Sequence, residues 1–229
     1  LVRCCEALHE VCVAYDIPLI SGKDSMKNDY KIGDTKISIP PTVLFTASAI
    51  IEDVTKSISM DAKQSGDIVY VLGETLDEMG GSEYLALNGQ LGENAPTLDF
   101  TTARKRYKAL HEAMLAGYVM SCHDCSDGGL GAALAETACA GRLGMDLDIA
   151  PLDFDNPLVA LFSESQSRFV VSVSPQRAES FEAIVYKTGF LRLGKVTTET
   201  AFLLRDGDSE LINTPIEELN AAWKDTLDW

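Results

Sequence analysis

The sequence predicts a mixed α+β fold, an α/β sandwich with a mixed β-sheet flanked by helices and preceded by part of another domain. Three observations carry that expectation. Strand-like apolar runs alternate with helical periodicities from Gly66 onward. The strands late in the chain follow one another without intervening helices, which a purely parallel sheet does not allow. With 46% apolar and 24% charged side chains, 229 residues suffice for one or two ordinary cores.

From Leu1 to Tyr15, Leu1, Cys4, Cys5, Leu8, Val11, Cys12 and Tyr15 recur at steps of three and four, the pattern of an amphipathic helix. No Ser, Thr, Asp or Asn caps it, so the expectation is a chain cut from something longer. "IPLIS" then reads as a buried strand, "GKDSMKND" as a polar loop and "PTVLFTASAII" as a second strand, closing a first segment near Asp53. A new pattern opens with the strand "GDIVYVLG" and the Gly-rich turn "MGGSEYLALNG". A helix follows over Thr101 to Ala116, then a strand through "YVMSCHD" and a helix over Leu130 to Ala140. "MDLDIA" reads as a strand, "LFSESQSRFVVSVS" as turn plus strand, and Ala178 to Lys187 as a helix. "FLRLGKVT" and "TAFLLRD" form the expected closing pair, and "PIEELNAAWKDTLDW" a terminal helix.

Composition excludes several functions. No apolar stretch approaches the ~20 residues that cross a bilayer, and the first residues lack a basic n-region, so a cytoplasmic protein without membrane partners is expected. The formal charge of −16 opposes binding to nucleic acid. A phosphate ligand must therefore be held locally, by backbone N–H groups, a few cations or a bridging Mg2+. Six dispersed cysteines do not make a disulfide framework.

Four polar stretches are candidate sites. Cys122 and Cys125 form a C-x-x-C, but no second ligand pair stands at zinc spacing, and the pair is read as incidental. In "HDCSDGGLGAALAE", Asp124, Ser126 and Asp127 precede a helix, and Gly128 and Gly129 permit close backbone approach. Such a turn can offer N–H groups to phosphate while Asp127 holds Mg2+; an ordinary capped helix fits these residues equally well. "SGKDSMKND" places Gly22, Lys23, Asp24 and Ser25 after an apolar run, without Walker A spacing. "SESQSR" sets Glu164, Ser165 and Arg168 before the run "FVVSV", where the arginine could clamp phosphate or a solvated loop could suffice. Gly81 and Ser82 lie in a further close-approach turn.

Taken in order, "SGKDSM", "GGSEY", "HDCSDGGL" and "FSESQSRFVVSV" closely resemble the phosphoribosylformylglycinamidine synthase family of the aminoimidazole ribonucleotide synthetase superfamily. The strand "GDIVYVLG" and the junction from "IPPT" to "IIEDV" fit as well, so the resemblance spans nearly the whole chain. It implies that residues 1–53 are the tail of the second ATP-binding N-domain and 54–229 the second C-terminal domain.

The activity implied is the ATP-dependent conversion of formylglycinamide ribonucleotide and glutamine-derived ammonia to formylglycinamidine ribonucleotide, through an iminophosphate. The cofactors implied are ATP or ADP with Mg2+. The partners implied are the N-terminal half of the synthase and a glutaminase subunit or domain. Alone, the fragment is expected to be inactive and open to homodimerisation through its exposed apolar surface. By resemblance, Gly22, Lys23, Asp24 and Ser25, and Ser126, Asp127, Gly128 and Gly129, are nucleotide or phosphate contacts, with Asp127 the metal ligand. Gly81, Ser82, His123, Asp124, Glu164, Ser165 and Arg168 are substrate-cleft candidates. Two alternatives stay open: a structural module holding ADP–Mg2+, or another kinase or dikinase of the superfamily.

Overall fold

The computed structural model describes residues 1–23, 25, 28–40 and 42–225. The chain divides into two compact units, Leu1–Thr55 and Lys56–Trp229.

In the first unit the three- and four-residue periodicity gives helix α1, Val2–Tyr15, which ends where Asp16 turns left-handed at φ 57. A two-stranded antiparallel hairpin follows, β1 Asp29–Ile32 and β2 Thr35–Ser38, joined by the two-residue turn Gly33-Asp34. Asp29 ties its open end by accepting from Ser38 Oγ and pairing with Lys36, both at 2.9 Å. None of the described residues of this unit is buried.

The strands expected at "IPLIS" and "PTVLFTASAII" are not formed: 17–21 and 42–51 carry no regular structure. An apolar run becomes a strand only when its backbone finds a ladder partner. Residues 29–38 supply their own through the tight turn, whereas those two runs pair with nothing among the described residues.

The second unit is a helix–sheet–helix sandwich. Its elements are β3 Ile68–Leu72, α2 Glu83–Leu87, α3 Phe100–Leu115, β4 Val119–Asp124, α4 Gly129–Gly141, β5 Gly144–Asp148, α5 Pro157–Phe162, β6 Phe169–Val173, α6 Ala178–Val185, β7 Phe190–Thr197, β8 Ala201–Asp206, β9 Ser209–Pro215 and α7 Ile216–Lys224. The sheet runs β4-β6-β3-β7-β5-β8-β9. Every neighbouring pair is antiparallel except β5 and β8, so the sheet is mixed, as expected.

Alternation along β3 builds both layers. Val69 and Val71 face a core with Leu130, Leu134 and Leu161, from α4 and α5, while Tyr70 and Leu72 face Leu110, Phe181 and Val185, from α3 and α6. Each such fully buried side chain stabilises the fold by ~1.5–3 kcal/mol relative to exposure.

The expected closing pair is corrected. β7 and β8 do not touch as neighbours, because β5 lies between them, parallel to β8. β8 instead forms a hairpin with β9, a strand not expected from "SELINTP". Alternation fixes which face a strand buries but not which strand lies beside it. α5, which enters the stretch read as turn plus strand only with Leu161 and Phe162, and α2, inside the Gly-rich turn, are likewise helices that the sequence reading does not include.

Candidate functional site

β4 sits at the sheet edge and carries His123 and Asp124 at its C-terminal end. The next residue, Cys125, anchors the chain by donating its N–H to the Arg168 carbonyl at 3.0 Å. The turn into α4 is then made from short polar residues: Ser126 Oγ donates to Asp124, and Gly129 N–H donates to the Ser126 carbonyl at 3.0 Å. Gly128 and Gly129 both adopt positive φ, 78° and 65°. A Cβ at Gly129 would stand 2.4 Å from the Ser163 carbonyl oxygen, so that glycine lets α4 dock on the segment 161–163 of its own chain. The close approach that the sequence assigns to a ligand is, at Gly129, an approach of the chain to itself.

Glu164 draws three motif stretches together. Its Oε1 accepts from Gly128 N–H and from Glu83 N–H, each at 2.9 Å. The first residue of α2 and the N-cap residue of α4 thus point donors at one carboxylate oxygen, as helix N-termini favour. α2 is further seated by Tyr84 stacking on Phe162, ring centroids 4.8 Å apart. Gly81, at φ 77, leads into α2 through open space, where an added Cβ would meet nothing within 4 Å. Ser82, fully buried, accepts from Leu85 N–H as the N-cap.

The other candidates of the 163–168 loop are buried supports. Ser165 Oγ accepts from Leu76 N–H at 3.0 Å. Arg168 is 1% exposed, and its guanidinium donates inward, to the Ser165 carbonyl at 2.9 Å, Thr75 Oγ1 at 2.9 Å and the Ser163 carbonyl at 2.5 Å. Three of its five N–H groups go to shaping the loop, and at this burial the guanidinium does not reach into solvent.

Asp124, Ser126 and Asp127 are exposed, and His123 and Glu164 are half-buried. Hydrogen bonding to Ser126, against opposing burial, holds the Asp124 carboxyl below the ordinary carboxylate value. Burial pushes the Cys122 thiol up to about 12 and the Cys125 thiol up to about 11, so neither offers a thiolate at neutral pH. No three His, Cys, Asp or Glu side chains converge on a metal position among the described residues. Asp127 is an exposed carboxylate, the kind of oxygen donor that Mg2+ takes alongside phosphates and water.

Gly22, Lys23 and Ser25 lie in the first unit, where Lys23 Nζ donates to Ser25 Oγ and Gly22 has open space about it. Asp24 lies outside the described residues. Sequence reasoning missed one member of the site, Glu136 of α4, whose Oε2 lies 2.5 Å from His123 Nε2. A signal was available: Glu136 is the single charged residue between Gly129 and Gly141.

No helix among the described residues is long and apolar enough to cross a membrane. The fold is similar to PurL of Thermotoga maritima complexed with FGAR, at TM-score 0.64 and 23% identity over 73% of this chain and 30% of that one. It is similar to the same organism's PurL complexed with ATP, at TM-score 0.59 and 22% identity over 73% and 28%. Escherichia coli HypE, a hydrogenase maturation protein, matches at TM-score 0.51 and 20% identity over 69% and 51%. The chain thus spans less than a third of the PurL chains it matches. The family model described as AIR synthase related protein, C-terminal domain, matches residues 64–205, which carry the sheet from β3 into β8 and every motif of the second unit. By that match, the chain belongs to the AIR synthase related protein family.

Proposed function

We propose that this chain is part of an ATP-dependent carbon–nitrogen ligase, a phosphoribosylformylglycinamidine synthase, in which residues 54–229 form the second C-terminal domain and 1–53 the end of the N-domain before it. The observation that carries the reading is the meeting of "GGSEY", "HDCSDGGL" and "FSESQSR" at Glu164 Oε1. Three stretches separated in sequence become one polar rim, open at Gly81, Asp124, Ser126 and Asp127. The likeness of fold to PurL structures holding ATP and FGAR supports the same reading.

In this reading Asp127 would hold Mg2+, and the ion, when bound, would neutralise charge on the nucleotide phosphates. The chain's residues position rather than attack. Glu164 locks the α2 and α4 entrances, Arg168 and Ser165 hold the loop that presents it, and both thiols stay protonated. Gly22, Lys23, Asp24 and Ser25 supply phosphate contacts from the N-domain side. The N-terminal half of the synthase and a glutaminase delivering ammonia complete the enzyme, in the cytoplasm, and the fragment alone does not turn over.

A second reading, in which this domain holds ADP–Mg2+ as a structural module, draws on the same inward-turned Arg168, which leaves the rim without that guanidinium for transition-state charge. Calorimetric titration of Mg-ATP and Mg-ADP into the chain and its Asp127→Ala variant tests the nucleotide site: binding lost in the variant supports it, and binding unchanged in the variant refutes Asp127 as the ligand. Ammonia-dependent amidination by the full-length protein separates ligase from the kinase alternatives. ADP released on denaturing that protein, with the melting temperature of Asp127→Ala lowered and the kcat of its folded fraction unchanged, selects the holding module.

A further inference from the structure

We infer that Glu136 is a positioning residue that fixes the ring of His123 and thereby the orientation of the candidate nucleotide turn; the inference rests on the proposed function for what that turn binds. His123 projects from β4 and Glu136 from α4, thirteen positions apart, and Oε2 lies 2.5 Å from Nε2. The side chains are 15% and 22% exposed, so water competes poorly for the contact. A carboxylate only accepts, which makes Nε2 the donor and leaves Nδ1 as the ring's other pole.

Nδ1 lies 3.5 Å from Asp124 Oδ1, while Asp124 Oδ2 accepts from Ser126. The side chains therefore neighbour one another in the order Glu136, His123, Asp124, Ser126, ending one residue from Asp127; the 2.5 Å contact claims the ring proton for Nε2, so the 3.5 Å approach of Nδ1 to Asp124 is proximity and not a hydrogen bond. Glu136 has other choices. It lines a cavity of about 200 Å³ with Arg142 and Lys224, yet forms no ion pair with either among the described residues. Its carboxylate is committed to the imidazole. A histidine held at one nitrogen by a fixed acceptor keeps a single tautomer and ring orientation, and partners of this kind govern the group they orient.

The test labels the three histidines, His9, His111 and His123, with 15N and records long-range 1H–15N spectra at about pH 8.5, two units above the ordinary histidine value. A His123→Gln variant assigns the ring. Wild type and E136Q, which retains an acceptor, are expected to give the Nε2–H tautomer for His123. E136A is expected to give the tautomer mixture of a free imidazole with its melting temperature little changed. E136L, which keeps the volume, replaces E136A if that variant does not fold.

In parallel, Mg-ATP affinity is expected to fall roughly tenfold in E136A and to recover in E136Q. An unchanged His123 pattern in folded E136A or E136L overturns the inference, whatever happens to binding. The expected tautomer shift in a chain that binds no nucleotide sustains Glu136 as the positioning group and tells against the nucleotide reading alone.

Discussion

Gly129 and Gly81 share a left-handed backbone, at φ 65 and 77, yet a methyl group meets different surroundings at each. At Gly129 it lies 2.4 Å from the Ser163 carbonyl oxygen and 2.8 Å from that of Leu161; at Gly81 nothing lies within 4 Å. Gly81→Ala therefore carries only the conformational cost, ~1–2 kcal/mol, and Gly129→Ala adds a backbone collision that must pry α4 from residues 161–163. Thermal unfolding is expected to rank Gly129→Ala well below Gly81→Ala; equal losses would refute the docking role of Gly129. Asp67 gives a prediction in pH. It is 2% exposed with Oδ2 unpaired, and burial holds its carboxyl above the ordinary value. A raised folded-state value means that stability is present below the unfolded value and lost as pH rises through the folded one. Asp67→Asn is expected to raise the melting temperature at pH 7 by about 2–4 °C and to gain nothing near pH 3.5, where both states bind the proton. Urea melts at the two values decide it, and an equal gain at both would sink the argument. At this scale the sequence disclosed residue types better than their targets. Two adjacent glycines after Asp127 announced a special backbone, but whether a ligand or residues 161–163 came close depended on α5, about 30 positions away. Arg168 read as a phosphate clamp because nothing local says that Ser163, Ser165 and Thr75 will surround it.

Between α5 and β6 the chain makes a loop without regular structure, held from inside by Arg168 and stretched through Ser167 at φ 63. Three acceptors on Ser163, Ser165 and Thr75 need three donors in a fixed plane, which guanidinium supplies and an ammonium does not. Arg168→Lys is expected to cost about 3 kcal/mol in urea unfolding and to speed exchange of the Gly128 and Glu83 amides, since Glu164 rides on this loop. A loss under about 0.5 kcal/mol, the range of an ordinary surface change, would show that the loop holds its shape without the arginine. Elements whose periodicity coincides with burial were legible: α3, α4, β3 and β6 stand within a few residues of their expected places. α5 was missed although Asn156 precedes it and Pro157 opens it, and Asn156 Oδ1 does accept from Leu158 N–H at 3.0 Å as a cap should. Six residues are too few for periodicity to declare a helix, and the apolar run "LVALF" reads equally as a strand. The runs at 17–21 and 42–51 failed the other way, apolar enough for strands but unpaired among the described residues.

Across the whole molecule the two units differ in what they bury. Among the described residues every core residue, from Ala62 to Ile216, belongs to Lys56–Trp229. In Leu1–Thr55, side chains such as Ile20, Leu44 and Ile50 are 91%, 90% and 95% exposed, and α1 buries none of its residues. Folding free energy follows apolar area removed from water, so nearly all of it resides in the second unit. The mixed sheet was legible because it depends on patterns along the chain; the insertion of β5 between β7 and β8 was not, because neighbour order is decided by tertiary packing. Removing residues 1–55 is therefore expected to leave the melting temperature of the remainder within about 2 °C, less than the shift that 1 kcal/mol produces in a domain of this size. The same division predicts hydrogen exchange: α1 amides should exchange through local opening at low cost, and β3 and β6 amides only through global unfolding. A truncated chain that melts far lower, or α1 amides as protected as those of β3, would mean that the first unit shares the core of the second. Self-association of the intact chain could protect α1 without any such sharing, so the exchange is read at two protein concentrations: protection that rises with concentration comes from a second copy, and protection that does not comes from within the chain.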